Sequence, residues 1–379
     1  MNILVISVHG MYTDYSASFI HNQAKEYVRQ GHRVRVLIPL AFAKKSNEGH
    51  RIGPCVEMFE RDHVEICYMR CLSLSNFGEK HQFNVPLAGI AIQLLQKRLF
   101  RDFRPDVIQA HTILYGGGIG VKVKALFGCP LIVTTHGGDA GVALSYMKET
   151  RKICKEADAI VAVSEKERKK VETVFDNTVC ILNGFCADHV PPQQKKRNAM
   201  IQVGHLIALK HVDNTIQAFA HLKKLYPEFT LTVIGEGTER ENLESLARRL
   251  KVWDSVRFAG QMPNPDTLAE MAKARFFIMP SYPEVFGIVY LEAMACGCVA
   301  VGTEKEGIAD VIVSGENGFL VPRDDVDAIV RIVDWCLQNP EKANEIAERG
   351  RETAMRHTWT HNAKEYLELF QTLIERKGV

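Results

Sequence analysis

No run in the 379-residue chain approaches 18 consecutive apolar residues, so no segment reads as a membrane-spanning helix. The opening residues, Met1-Asn2-Ile3-Leu4-Val5-Ile6-Ser7, lack both a basic region and a small-residue cleavage site, so they read as a buried first strand rather than a signal peptide. Charge of one sign is scarce as well. A balance of 47 Lys and Arg against 45 Asp and Glu leaves +2, too little for a strongly basic nucleic-acid surface. The ten cysteines include no Cys-x-x-Cys, and the closest pairs, Cys296/Cys298 and Cys67/Cys71, do not have the spacing of zinc ribbons or redox centres. Cys296 and Cys298 read as small buried thiols of a reduced, cytoplasmic protein. The Gly-x-Gly-x-x-Gly fingerprint of dinucleotide sites is missing too. Gly116-Gly117-Gly118-Ile119-Gly120 and Gly235-Glu236-Gly237 do not match it, which argues against an NAD-dependent oxidoreductase.

What is present is the composition of an ordinary globular protein, 46% apolar and 24% charged, at a length that suits two domains. Asn2–Val8 is an apolar run. Phe19, Ile20, Ala24, Tyr27 and Val28 recur at helical spacing, Gly31 ends the helix, and Arg33–Pro39 alternates as a second strand. Further strand-like runs are Asp106–Ala110, Pro130–Thr135, Ala159–Ser164 and Thr178–Leu182, mostly separated by helical stretches. That alternation predicts a mainly parallel sheet covered on both faces. Pro191-Pro192 and the polar residues to Asn198 read as a linker. The alternation then restarts at Ala199–Gly204, Phe229–Gly235, Ser255–Gly260, Phe276–Ser281 and Cys298–Thr303, and becomes almost all helical from about Asp324. The chain therefore reads as two doubly wound α/β domains.

Three segments carry candidate chemistry. In Pro280–Gly297 a buried strand ends, a Pro-containing loop follows, and a helix begins near Phe286. Its first turn, around Gly287, Ile288 and Val289, offers unpaired N–H groups and the positive end of a dipole to a phosphate. Glu284 lies just before this helix and Glu292 about two turns into it, so one carboxylate reaches a sugar while the other lies deeper. In Val203–Asp213, Lys210 stands on a strand-to-helix loop, where it neutralises a pyrophosphate as a point charge. In Thr134–Asp139, His136 follows a strand and precedes two glycines. Asp139 belongs to no Asp-x-Asp triplet, and no bound metal is expected. Ile90–Phe103 reads as a core-packed helix with Lys97, Arg98, Arg101 and Arg104 outside, the pattern that also suits an anionic membrane surface.

Taken together these residues resemble glycosyltransferase family 4, the retaining sugar-nucleotide transferases of GT-B fold. The likeness runs from the opening strand and Gly31-His32-Arg33-Val34 through Asn183-Gly184, the Val203–Asp213 loop, Val233–Gly237 and Val256–Gly260. It continues through Glu284–Gly297 and Gly318-Phe319-Leu320-Val321 to the tail around Trp359. The resemblance implies two Rossmann-like domains facing an interdomain cleft. The acceptor-binding domain would be 1–190, with helix 357–379 packing back on it, and the donor-binding domain 199–356. Glu284 and His136 would then face the donor sugar at the reaction centre, Glu292 the ribose, and Lys210 the diphosphate with the amides of Phe286, Gly287, Ile288 and Val289. His205 stands where the family usually has a second cationic clamp, arginine. The loop after the first strand, Tyr12–Ser18, lacks the family's glycine, and Gly10 lies earlier.

The implied reaction moves a sugar from a UDP- or GDP-sugar to a sugar or lipid-linked acceptor in cell-surface polysaccharide or glycolipid assembly. It retains configuration and uses no metal or other cofactor. The expected location is cytoplasmic, at the inner face of the membrane. Residues 1–195 carry 25 Lys and Arg against 19 Asp and Glu, and the remainder 22 against 26. That excess, with Lys44, Lys45, Arg51, His63 and Arg70 in the irregular stretch 40–85, suits an anionic acceptor or peripheral contact with an anionic membrane. The alternative is a catalytically weakened nucleotide-binding or scaffold protein that kept the fold but lost activity.

Overall fold

The computed structural model describes residues 1–7, 18–41, 54–72, 85–137, 147–192 and 197–378. The glycine-poor loop after the first strand, Lys44, Lys45, Arg51, Asp139 and linker residues 193–196 lie outside these. The described residues divide into two units: Met1–Leu182 with Trp359–Val379, and Asn183–Thr358.

The first unit is built on eight strands: β1 (Asn2–Ile6), β2 (Arg33–Ala41), β3 (Val56–Arg61), β4 (Val64–Cys71), β5 (Val107–His111), β6 (Leu131–Thr135), β7 (Ala159–Ala162) and β8 (Thr178–Cys180). They lie in the order β3-β4-β2-β1-β5-β6-β7-β8, parallel except for β3. Strands such as β5 and β6 are buried along their whole length, Gln109 and His111 on β5 included, because helices cover both faces. One of those covers is helix Ser18–Arg29, which buries Ile20, Ala24 and Tyr27. Gly31 stops it at φ +87°, a conformation with no Cβ penalty for glycine. Helix Val85–Leu99 buries Ile92 and Leu99 and leaves Lys97 and Arg98 outside, as its spacing predicts.

The stretch read as irregular corrects the sequence analysis. β3 and β4 form an antiparallel hairpin in which Arg61 pairs with Val64, turned by Asp62 and His63 at φ 51° and 61°. Positive φ at both central residues marks the primed turns that match strand twist. β4 then pairs in parallel with β2. The signal was concealed because β3 is a partly exposed edge and β4 carries Glu65 and Arg70 amid its apolar residues. Both charges are answered. The Arg35 guanidinium on β2 donates to Glu65 at 2.7 Å and to the Leu99 carbonyl at 2.6 Å and lies 4.5 Å over Phe103, while Arg70 pairs with Glu57 at 3.5 Å.

Helix Trp359–Lys377 belongs to the first unit, where Ala363, Tyr366 and Phe370 join the apolar layer of Ile3, Val5 and Tyr27. A buried polar chain fixes its register. Tyr27 Oη donates to Gln109 Oε1 (3.0 Å), Gln109 Nε2 to Gln23 Oε1 (2.9 Å), Gln23 Nε2 to Asn362 Oδ1 (2.6 Å), and Asn362 Nδ2 to the Leu182 carbonyl (2.7 Å).

The second unit holds β9 (Arg197–Val203), β10 (Thr230–Ile234), β11 (Val256–Gly260), β12 (Ala274–Ile278), β13 (Val299–Thr303) and β14 (Phe319–Val321). Their order is β11-β10-β9-β12-β13-β14, all parallel. The division between units falls at 182/183, earlier than the proline pair suggests. The Phe185 N–H donates to the His357 carbonyl at 3.1 Å, which ties the residues after 182 to the end of the second unit. Cys296 and Cys298 are buried thiols that donate to the Leu268 and Met271 carbonyls. Among the described residues no helix is long and apolar enough to cross a membrane.

Candidate functional site

In the second sheet the strand order reverses between β9 and β12. Loops leaving their carboxyl ends diverge there, and open parallel sheets hold ligands in that crevice. The loop after β9 passes through a tight turn at Ala208–Lys210 and enters helix Val212–Leu225. Buried Gln202 on β9 anchors it by donating to the Lys210 carbonyl at 2.8 Å. Two glycines bring the loop after β10 against it. A Cβ at Gly235 would stand 1.9 Å from the Gly204 carbonyl oxygen, and one at Gly237 would stand 2.2 Å from that of Leu206. The Gly-x-Gly discounted as a dinucleotide signature thus has a packing cause.

Lys210 and Glu284, 74 residues apart, meet here: Nζ lies 2.5 Å from Oε2. Ser281 Oγ donates to the same oxygen at 2.9 Å, and the Val285 N–H to Oε1 at 3.2 Å. Glu284 is therefore an oriented carboxylate with its ammonium partner at hand. Tyr282, two residues earlier, stacks on His211 at 4.0 Å and donates through its hydroxyl to Asp324 at 2.5 Å, so the loops after β9, β12 and β14 brace one another.

The helix after this loop is Ile288–Ala295, two residues later than the sequence predicts, so Glu292 sits just over one turn in rather than two. Gly287 caps it at φ +80°, and a Cβ there would stand 2.6 Å from the Tyr290 ring, so both conformation and space require glycine. Of the first-turn N–H groups, that of Tyr290 donates to the Gly287 carbonyl at 3.0 Å. Those of Ile288 and Val289 lie at the start of the helix, ahead of any intrahelical carbonyl, which makes this end an anion site in the physical sense. The Phe286 side chain is buried, leaving its backbone as the available part. Glu292 accepts from Asn264 Nδ2 at 2.7 Å, and burial raises its carboxyl above the ordinary range while that hydrogen bond opposes the shift.

His205 is exposed, and among the described residues no side-chain hydrogen bond joins it to Lys210 or Glu284. His136 stands on the first unit just beyond β6. Its ring stacks on His111 with Nε2 2.8 Å from Nδ1, and Phe19 lies 4.8 Å away. Sequence reasoning missed His111, although it ends β5 in register with Thr134 on β6, two residues before His136. A histidine at a second strand end was the signal available. Glu306, on the loop after β13, was also missed. Among the described residues no cluster of three or more His, Cys, Asp or Glu could hold a metal ion.

Residues 16–188 match the family model for Glycosyltransferase Family 4, and residues 188–353 that for Glycosyl transferases group 1. The chain is 27% identical over 269 residues to the glycogen synthase of Mycobacterium tuberculosis, a match covering 66% of this chain and 65% of that protein. The chain thus spans a little less than two thirds of that relative. The fold is that of sucrose-phosphate synthase from Thermosynechococcus elongatus, with a TM-score of 0.81 at 20% identity over 99% of this chain and 100% of the other. Anabaena HepE, solved in complex with UDP and glucose, matches at a TM-score of 0.72 and 19% identity over 98% and 100%. The two α/β units are those of the GT-B fold.

Proposed function

The chain belongs to glycosyltransferase family 4, and from that membership we propose that it transfers a sugar from a nucleoside-diphosphate donor, UDP- or GDP-linked, to an acceptor. The observation that carries the reading is the Lys210–Glu284 pair beside the glycine-capped start of helix Ile288–Ala295. Lys210 and the first-turn amides take the diphosphate, so fixed positive charge stabilises the leaving group as the sugar departs. The phosphate competes with Glu284 for the ammonium, and the freed carboxylate turns to the sugar hydroxyls. Glu292 receives the ribose, and His136 serves the sugar at its anomeric carbon. Transfer proceeds with retention, no metal is invoked, and exclusion of water guards the donor against hydrolysis. The acceptor is a sugar or lipid-linked sugar of cell-surface polysaccharide or glycolipid, met at an anionic membrane face.

Calorimetric titration of the full chain with UDP, GDP, ADP and NAD tests the donor class. Micromolar affinity for one nucleoside diphosphate is expected; binding of NAD alone would overturn the reading. His205 favours a second reading, a catalytically weakened nucleotide-binding or scaffold protein, because histidine is shorter than arginine and lacks its fixed guanidinium charge. That reading predicts little donor affinity, no turnover on any acceptor and no gain on His205→Arg.

A further inference from the structure

Glu306 lies beyond β13, outside the motif that led to the donor site, and its side chain is 0% exposed. A carboxylate so buried needs charge and hydrogen-bond partners. Glu306 uses both oxygens: Oε2 accepts the backbone N–H of Glu284 at 2.7 Å, and Oε1 accepts from the Arg323 guanidinium at 2.5 Å. The next residue holds the other side of the same position, because the Gly307 N–H donates to the Glu284 carbonyl at 3.2 Å. A Cβ at Gly307 would stand 1.8 Å from the Val285 carbonyl oxygen and 2.7 Å from Phe286 Cα, so the two loops lie backbone against backbone. Glu284 is thus gripped at its N–H and its C=O by consecutive residues from a neighbouring strand's loop.

We propose that Glu306 is a positioning residue for Glu284: it fixes the Glu284 backbone so that the carboxylate is presented to the donor sugar, and it acts on the donor only through Glu284. The Arg323 guanidinium holds the other carboxylate oxygen of Glu306 and so aims the acceptor. The inference rests on the reading of Glu284 as the sugar contact. Its geometric half is independent of any ligand. Both carboxylates sit at one end of the sheet, yet they divide the work: one turns to the ligand, the other to the peptide that carries the first.

The test uses the full chain with E306A, E306Q, E284A and the double variant E284A/E306A. Amide hydrogen exchange over 281–287 is expected to rise in E306A while β12 keeps its protection; unchanged exchange over 281–287 overturns the clamp. Calorimetry with UDP, UDP-glucose, GDP and GDP-mannose reads the role. E306A is expected to weaken binding of the preferred nucleotide sugar about tenfold and leave the bare nucleotide within about twofold. E306Q, which keeps an oxygen for the Glu284 N–H, is expected to recover most of that loss; if E306A does not fold, E306D, whose shorter side chain draws the acceptor back from that N–H, takes its place. The double variant is expected to bind as E284A does. Losses that multiply, or equal losses for sugar nucleotide and nucleotide, overturn the proposal. If the wild-type chain binds none of the four probes, the donor reading falls. The exchange measurement then decides by itself: faster exchange supports the clamp and unchanged exchange overturns it.

Discussion

The ammonium of Lys210 lies 2.5 Å from a carboxylate oxygen of Glu284 that also accepts from Ser281, so the two groups assigned to opposite parts of a donor satisfy each other before any donor arrives. A cation kept this way costs less to hold half-buried than one left alone, and an incoming diphosphate exchanges one anionic partner for another. Removing either member separates their roles. Lys210→Ala should weaken nucleoside diphosphate binding by about tenfold or more. Glu284→Ala should keep that affinity but lose most transfer. Calorimetry and product analysis on the two variants check the split.

Glu292 offers a test in which stability and function move oppositely. Burial raises its folded-state pKa above the unfolded value. A carboxyl with a raised folded pKa binds protons more tightly in the native state, so its contribution favours folding at acid pH and is lost as pH rises through the carboxylate range and just above it. Glu292→Gln should therefore raise the melting temperature at pH 7 relative to wild type, by about a few degrees, with the gain shrinking toward pH 4. The same variant should bind nucleotide more weakly. Calorimetric melts at both pH values and a UDP or GDP titration measure the two effects.

His136 and the groups proposed to bind phosphate belong to different units. His136→Ala should leave nucleoside diphosphate affinity within about twofold while transfer falls by about 100-fold, in the range of a lost acid–base or charge-stabilising group. Parallel titration and turnover assays would show it. An equal drop in both would remove His136 from the sugar-facing role.

Gly287 combines positive φ with a crowded Cβ direction. Gly287→Ala should destabilise the second unit by about 1–3 kcal/mol and weaken diphosphate binding by displacing the first-turn amides. Gly31, equally left-handed but with open space around its Cβ direction, should give the smaller loss on the same substitution. Denaturant melts compare the two.

On the first unit, Arg35→Ala would leave Glu65 with Arg33 alone, take a donor from the Leu99 carbonyl and open a void under Phe103. The void left by so large a buried side chain should cost about 2–4 kcal/mol, whereas Arg35→Met, which fills the space, should cost less. Urea unfolding of both variants tests the ranking.

The alternation of apolar runs with helical stretches was enough to read both sheets, because parallel strands buried on two faces have little to disguise them. The hairpin Val56–Cys71 escaped because register and burial there are set by Arg35 and by a two-residue turn without glycine, neither visible one residue at a time. At the site, Lys210, Glu284 and Gly287 were legible from loop grammar. Glu306 was not: its partner is a backbone N–H 22 residues away, and a backbone group leaves no mark in a sequence. His111 illustrates a different limit, since pairing with His136 depends on two strands being neighbours.

The passage of the chain out of the first unit at Leu182 and back at Trp359 has a consequence for biosynthesis. On the ribosome the second unit is contiguous and can close on itself as soon as it emerges, whereas the first, although begun earlier, lacks its covering helix until Trp359–Lys377 is made. In that interval Tyr27, Gln109 and Thr134 present a polar seam and an apolar layer to solvent. Maturation of the older half thus waits on translation of the younger, and a nascent chain stalled before Tyr366 is the form most exposed to chaperones and proteases.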